Sequence, residues 1–147
     1  MGTCSSFMVI ENWVDDNQKV KSNKFVNLYM QFDGYPEGNP SDVAKWLSKY
    51  TVVNGLPLNS KSQEVFNGAG CLAAQFVHEF KNGAGGIYLF PINHFGRCWE
   101  EYLYEIIVTE NNKIIFKGYE NNTTKSGLRK KLFFEGTPQE FAEKYQK

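Results

Sequence analysis

At 147 residues, 41% hydrophobic and 16% aromatic, the chain is expected to form one domain, 1–147, burying about two-thirds of its unfolded surface in a single core. Lysine plus arginine equals aspartate plus glutamate, 16 each, so no global field gathers nucleic acid or anionic membrane, and DNA binding is not expected. Cys4, Cys71, Cys98, His78 and His94 stand at no metal-ligand spacing, and no apolar run approaches the roughly 18 residues of a membrane span; the reading is a soluble protein of a reducing compartment, with no metal, cofactor, disulfide framework or span.

Met1-Gly2-Thr3-Cys4-Ser5-Ser6 fits the N-myristoylation pattern, with Cys4 available for palmitoylation. Phe7-Met8-Val9-Ile10 follows at once and reads as a strand, which ties the terminus into a sheet instead. Thr3 or Cys4 would become an N-terminal nucleophile only after processing beyond Met1. Residues 7–14 and 24–32 read as an antiparallel hairpin around the polar stretch Asp15–Asn23, with Val26, Leu28, Met30 and Phe32 alternating with polar neighbours. The next stretch, Gln31 to Gly38, is a turn. Asp33 offers a side chain to the backbone, Gly34 the freedom to take positive φ, and Pro36 a fixed φ. Asn39 as N-cap and Pro40 at the first position open a helix over 40–50, with Val43, Trp46, Leu47 and Tyr50 on one face.

A loop with Asn54-Gly55 and Pro57 leads to a second helix, about 71–81, whose Leu72, Ala73, Phe76, Val77 and Phe80 share a face. Gly83, Gly85 and Gly86 end it, and Ile87–Pro91 reads as a strand. From Glu100 to Tyr119 two strand patterns flank Asn111-Asn112, with Tyr102, Tyr104, Ile106 and Val108 on one face. The basic run from Lys125 to Lys131 reads as a solvated loop before an edge strand, with a phosphate or RNA contact as the alternative. A strand near Lys131–Glu135 precedes a capping box, Thr137 to Glu140, and a last helix with Phe141 and Tyr145. This order predicts an α+β fold: a mainly antiparallel sheet carrying two central helices and a C-terminal helix.

Several phrases resemble a known group. The start Met1-Gly2-Thr3, the run from Tyr29 to Gly38 and the helix after it, the run from Asn67 to Gln75, and Gly86-Ile87-Tyr88-Leu89 are similar to small uncharacterised proteins of bacteriophages and of large DNA viruses of protists. The resemblance spans about residues 1–108. It implies a viral-type accessory protein acting in host cytoplasm, and it implies no activity. Where that group continues its start with Arg-Ser-Leu, this chain has Cys4-Ser5-Ser6, so no role for a basic residue carries over.

Two chemistries are written into the residue types. A thiol at a helix start, Cys71, has its pKa lowered by the dipole and backbone N–H groups beside it to hold an oxyanion. His78, about 10.5 Å along the helix, is out of reach as its base, so the hydrolase reading pairs Cys71 with His94, oriented by Asp33 or Glu100. Asp33 and Glu37 form a weaker acid–base pair. The binding reading needs less. Asn67, Gly68 and Gly70 open a helix to an anion, Gln75 adds an amide, and Asp33, Gly34, Tyr35 and Glu37 frame the other side if both loops lie on one sheet edge. The expected ligand is a small anion or nucleotide, without a standard nucleotide fingerprint. A host protein met through Trp99, Tyr102 and Tyr35 is the competing partner. Binding is the favoured expectation.

Overall fold

The structure is a computed structural model that describes residues 2–55 and 64–146; Met1 and Pro57, named above, lie outside them. Its centre is a six-stranded sheet. The strands are β1 (Ser5–Val14), β2 (Val20–Met30), β5 (Ile87–Phe90), β6 (Tyr102–Val108), β7 (Ile114–Asn121) and β8 (Lys130–Gly136), ordered β5-β2-β1-β6-β7-β8. Two hairpins carry it. β1 pairs antiparallel with β2 and β6 with β7, each around a turn whose key residue, Gln18 or Asn112, takes positive φ. The hairpins meet through β1 and β6, which run parallel, the one non-antiparallel pairing in the six-stranded sheet. A second parallel pair, β3 (Thr51–Val53) with β4 (Val65–Asn67), was not expected from the sequence.

Both faces of the sheet are apolar, and they are covered differently. On one face Phe7, Val9, Leu28, Tyr104, Ile106 and Phe116 meet the three helices, α1 (Asn39–Leu47), α2 (Gly68–Phe80) and α3 (Pro138–Lys144). Phe7 stacks on Tyr104 with centroids 5.0 Å apart and meets the edge of Phe76 from α2 at 5.6 Å. On the opposite face Met8, Ile10, Leu103, Ile107 and Tyr119 pack with Phe95 and Ile92, from a loop with one 3₁₀ turn at Ile92–His94.

The apolar faces expected of α1 and α2 are the buried ones, and both bonds of the capping box form at α3: Glu140 N–H donates to Thr137 Oγ1 (3.1 Å) and Thr137 N–H to Glu140 Oε1 (2.8 Å). Those bonds hold the Glu140 carboxyl below its usual range. The start of α1 differs from expectation. Asn39 is the first helical residue, Gly38 is the cap, and the Asn39 amide instead donates to the Phe32 carbonyl at 2.7 Å. α2 starts earlier than expected, at Gly68, directly from β4. The basic run is partly strand. Lys130 opens the edge strand β8, and its ammonium pairs with the buried Glu105 carboxylate at 2.6 Å, which also accepts the Tyr119 hydroxyl at 2.8 Å.

Candidate functional site

The structure separates the residues that the sequence reading grouped. Gly34 packs against Cys4 and Ser5, at the start of β1, whereas Gly68 lines a cleft with Glu11, Asn12 and Trp13, at its end. At about 3.3 Å per residue the two loops lie roughly 20 Å apart, at opposite ends of the sheet, and frame no common pocket. The hydrolase pair separates in another direction. Cys71 rides on α2 over one face, while His94 sits in the 3₁₀ turn that covers the other, so the sheet lies between thiol and imidazole. A nucleophile and its base need hydrogen-bond reach, and these two residues lack it. Cys71 Sγ instead accepts from the Gln75 amide at 3.1 Å, and the same amide reaches the Val65 carbonyl at 3.3 Å. Gln75 therefore ties α2 to β4.

The glycines have structural duties. Gly34 was expected to supply positive φ, but Asp33 takes it, at +55°. Gly34 is needed for space: a Cβ there would stand 2.6 Å from Ser5 Cβ, and the Gly34 carbonyl accepts the hydroxyl of fully buried Tyr104 at 2.9 Å. The Asp33–Gly38 turn is thus bolted to the core. Tyr35, Glu37 and Asp33 remain exposed beside it and line a shallow cleft with Gly38 and Asn39. Gly68, at φ +83°, needs glycine, but Gly70 does not; its nearest neighbour for a Cβ is Phe25 Cε1 at 3.7 Å, ordinary contact. Gly70→Ala is expected to stabilise the protein by about 0.5–1 kcal/mol through helix propensity and unfolded-chain entropy, and Gly68→Ala to destabilise it by about 1 kcal/mol. Urea midpoints would check the pair. A loss in both variants would mean that Gly70 is kept small for something other than the fold.

A different site is built on the open face. β2 and β5 pair Tyr29 with Tyr88 and Asn27 with Phe90, which sends Tyr29, Tyr88 and Phe90 out on the face that no helix covers. The Tyr29 ring lies 5.2 Å from Phe90 and 6.4 Å from Tyr88, and the Tyr88 and Phe90 planes are within 11° of parallel. Gln31, Arg97, Cys98 and Trp99 complete a cleft of about 460 Å³.

Trp99 is the unusual member. It is 95% exposed and has φ +67°, a left-handed conformation uncommon for a bulky side chain and worth on the order of 1–3 kcal/mol of strain. The loop holding it is clamped from below. Glu100, 4% exposed, accepts from Ser6 Oγ (2.7 Å) and Gly96 N–H (2.9 Å) through one carboxylate oxygen and from Cys98 N–H (2.6 Å) through the other. The Asn121 amide donates to the Gly96 and Glu100 carbonyls, and Glu101 N–H to the Cys4 carbonyl. Gly96 has φ +80°, and a Cβ there would collide with Leu128. The backbone on either side of Trp99 is therefore held by a hydrogen-bonded frame.

The polar groups of this cleft are not set for nucleophilic chemistry. Burial and the Glu100 charge raise the Cys98 thiol, away from thiolate formation. Burial and the hydrogen bond to Cys4 Sγ, at 2.9 Å, raise the Tyr29 phenol. The sequence names Trp99 as an aromatic for a host protein to meet; that it shares a cleft with Tyr29, Tyr88 and Phe90 depends on strand register, which periodicity alone does not fix.

Two negative findings bear on other chemistries. No group of three His, Cys, Asp or Glu side chains is placed to hold a metal ion among the described residues, and none of their helices is long and apolar enough to cross a membrane. Set against protein-family models, curated proteins and solved structures, the chain finds no match.

Proposed function

We propose that this chain is a binding protein, an accessory protein of the viral or phage type that its sequence resembles, and that it binds through the aromatic cleft on the open face of its sheet. The observation that carries the reading is Trp99, 95% exposed on a strained backbone in a loop that the buried Glu100 carboxylate holds through Gly96 and Cys98. Leaving an indole in water forgoes about 2 kcal/mol of burial, and strained backbone collects at sites of function. Exposed aromatic anchors dominate binding energies because each buries a large apolar area when it is covered. The Cys71–His94 hydrolase is not carried forward, since the two residues lie on opposite faces of the sheet.

Native mass spectrometry of the protein purified from its producing host tests the proposal. The wild type is expected to carry a non-covalent species that is absent from Trp99→Ala, with circular dichroism melts of the two proteins superimposing because Trp99 takes no part in the core. A bare wild-type protein, or a species retained equally by the variant, overturns it.

A further inference from the structure

The linings of the cleft narrow what it takes. β-strand addition at the outer edge of β5 is obstructed by the protein itself, because the Lys81 ammonium already occupies the Gly85 and Ile87 carbonyls at 3.0 and 2.7 Å. A cationic ligand is disfavoured twice over. Lys81 Nζ stands 5.5 Å from the Tyr88 ring centroid, engaging the ring's negative face, and Arg97 lines the same cleft. No carboxylate lines it, and the nearest buried one, Glu100, has both oxygens filled by Ser6, Gly96 and Cys98.

What remains is a group that is planar and apolar on its faces, hydrogen-bonding at its edge, and negatively charged. Trp99, Tyr88 and Phe90 offer stacking faces; the exposed Gln31 amide offers a donor and an acceptor side by side; Arg97 offers a planar fork matched to phosphate oxygens. The volume of about 460 Å³ suits a ligand of mononucleotide size. Resting on the binding function proposed above, we infer that the cleft binds a nucleotide, its base stacked on Trp99 and the Tyr88–Phe90 pair with its edge on Gln31, and its phosphate on Arg97. The nucleotide is either free or one unit of a single strand. The neutral net charge of the chain bears on long-range steering and not on this local contact.

The test titrates the protein with AMP, CMP, GMP and UMP, with ribose 5-phosphate as a base-free control, and with single-stranded homopolymers of increasing length. Quenching of Trp99 fluorescence and calorimetry are the readouts. Saturable quenching by nucleotides, absent with ribose 5-phosphate and absent in Trp99→Phe, is the expected result, since Trp13 and Trp46 lie away from the cleft. By calorimetry Trp99→Ala or Tyr88→Ala is expected to weaken binding about ten- to a hundredfold through lost stacking. Arg97→Gln should remove most of the salt dependence. Affinity that climbs with oligomer length identifies a strand as the source, and affinity indifferent to length identifies the free nucleotide.

Binding that survives Tyr88→Ala and Arg97→Gln unchanged overturns the inference. So does the absence of any heat or quenching into the millimolar range. If a Trp99-dependent species still appears in native mass spectrometry in that case, the nucleotide falls and the binding function stands; if no such species appears, both fall.

Discussion

Replacing Glu100 by alanine is expected to lower the unfolding free energy by on the order of 4 kcal/mol, the largest loss foreseen for any side chain outside the apolar core. The carboxylate joins the first strand to the loop before the sixth. It takes the hydroxyl of Ser6, which is fully buried, and the N–H groups of Gly96 and Cys98. Alanine leaves all three donors without an acceptor, at about 1–3 kcal/mol for each that stays dry. Glu100→Gln should cost less than Glu100→Ala, because the amide oxygen can still serve Ser6 and Gly96, although the amide NH2 then opposes the Cys98 N–H, donor against donor. Chemical denaturation of the three proteins would check the order. An alanine variant with the wild-type midpoint would show that the loop is held by its other contacts, the Asn121 amide, the Glu101 N–H on Cys4 and the packing of Phe95. Fluorescence anisotropy of Trp99 should fall in the alanine variant even in native buffer, as the frame around it loosens.

The second large effect is alkaline. Burial raises the Tyr104 phenol well above its ordinary range, and burial together with the hydrogen bond to Glu105 does the same for Tyr119. An unfolded tyrosine ionises near pH 10, whereas these two keep their protons in the fold at that pH. Their contribution to stability is therefore fully present below about pH 10, and is lost as pH rises from there toward the raised folded values. Each adds a slope approaching about 1.4 kcal/mol per pH unit in that window. Tyr104→Phe is expected to cost about 1–2 kcal/mol at neutral pH, because the Gly34 carbonyl loses its donor, and to remove the Tyr104 share of the alkaline slope while the shares of Tyr119 and the other raised phenols, Tyr29 and Tyr102, remain. Equal slopes in wild type and Tyr104→Phe between pH 10 and 11 would show that Tyr104 gains access to solvent before the protein unfolds.

Much of the fold was legible because local rules and tertiary structure agreed. The faces of α1 and α2, the capping box of α3, the Asn111-Asn112 hairpin and the Tyr102–Val108 alternation each follow from spacing and turn chemistry within a dozen residues. What was illegible is what depends on distant pairing. Nothing near Ser5–Val14 says that it lies parallel to Tyr102–Val108. The β1–β2 register carries the Asp33–Gly38 turn to the start of β1, away from the Gly68 helix start at its end, while Cys71 and His94 lie on elements that cover opposite faces. Glu100 gave no sign of its role, since a loop carboxylate looks solvated until Ser6 is brought to it from 94 residues away. Glycine was misread in a related way. Composition suggests conformational freedom at Gly34, while the structure uses its lack of a side chain, a requirement visible only once Ser5 is beside it.

The parallel seam between β1 and β6 also sets a timetable for synthesis. Every hydrogen bond of that seam joins a residue among the first eleven to one beyond residue 101, so a ribosome must deliver Val108 before the middle of the sheet can close. Until then the β1–β2 hairpin waits with the Ser5–Glu11 edge of β1 unpaired, even though α1, α2 and the Ile92–His94 turn, which cover its faces, are already made. Closing so long a loop is slow, and an unpaired strand edge is the surface through which unfinished chains find one another. Expression at low temperature or with a holdase chaperone should therefore raise the soluble yield of this protein more than any substitution on its surface.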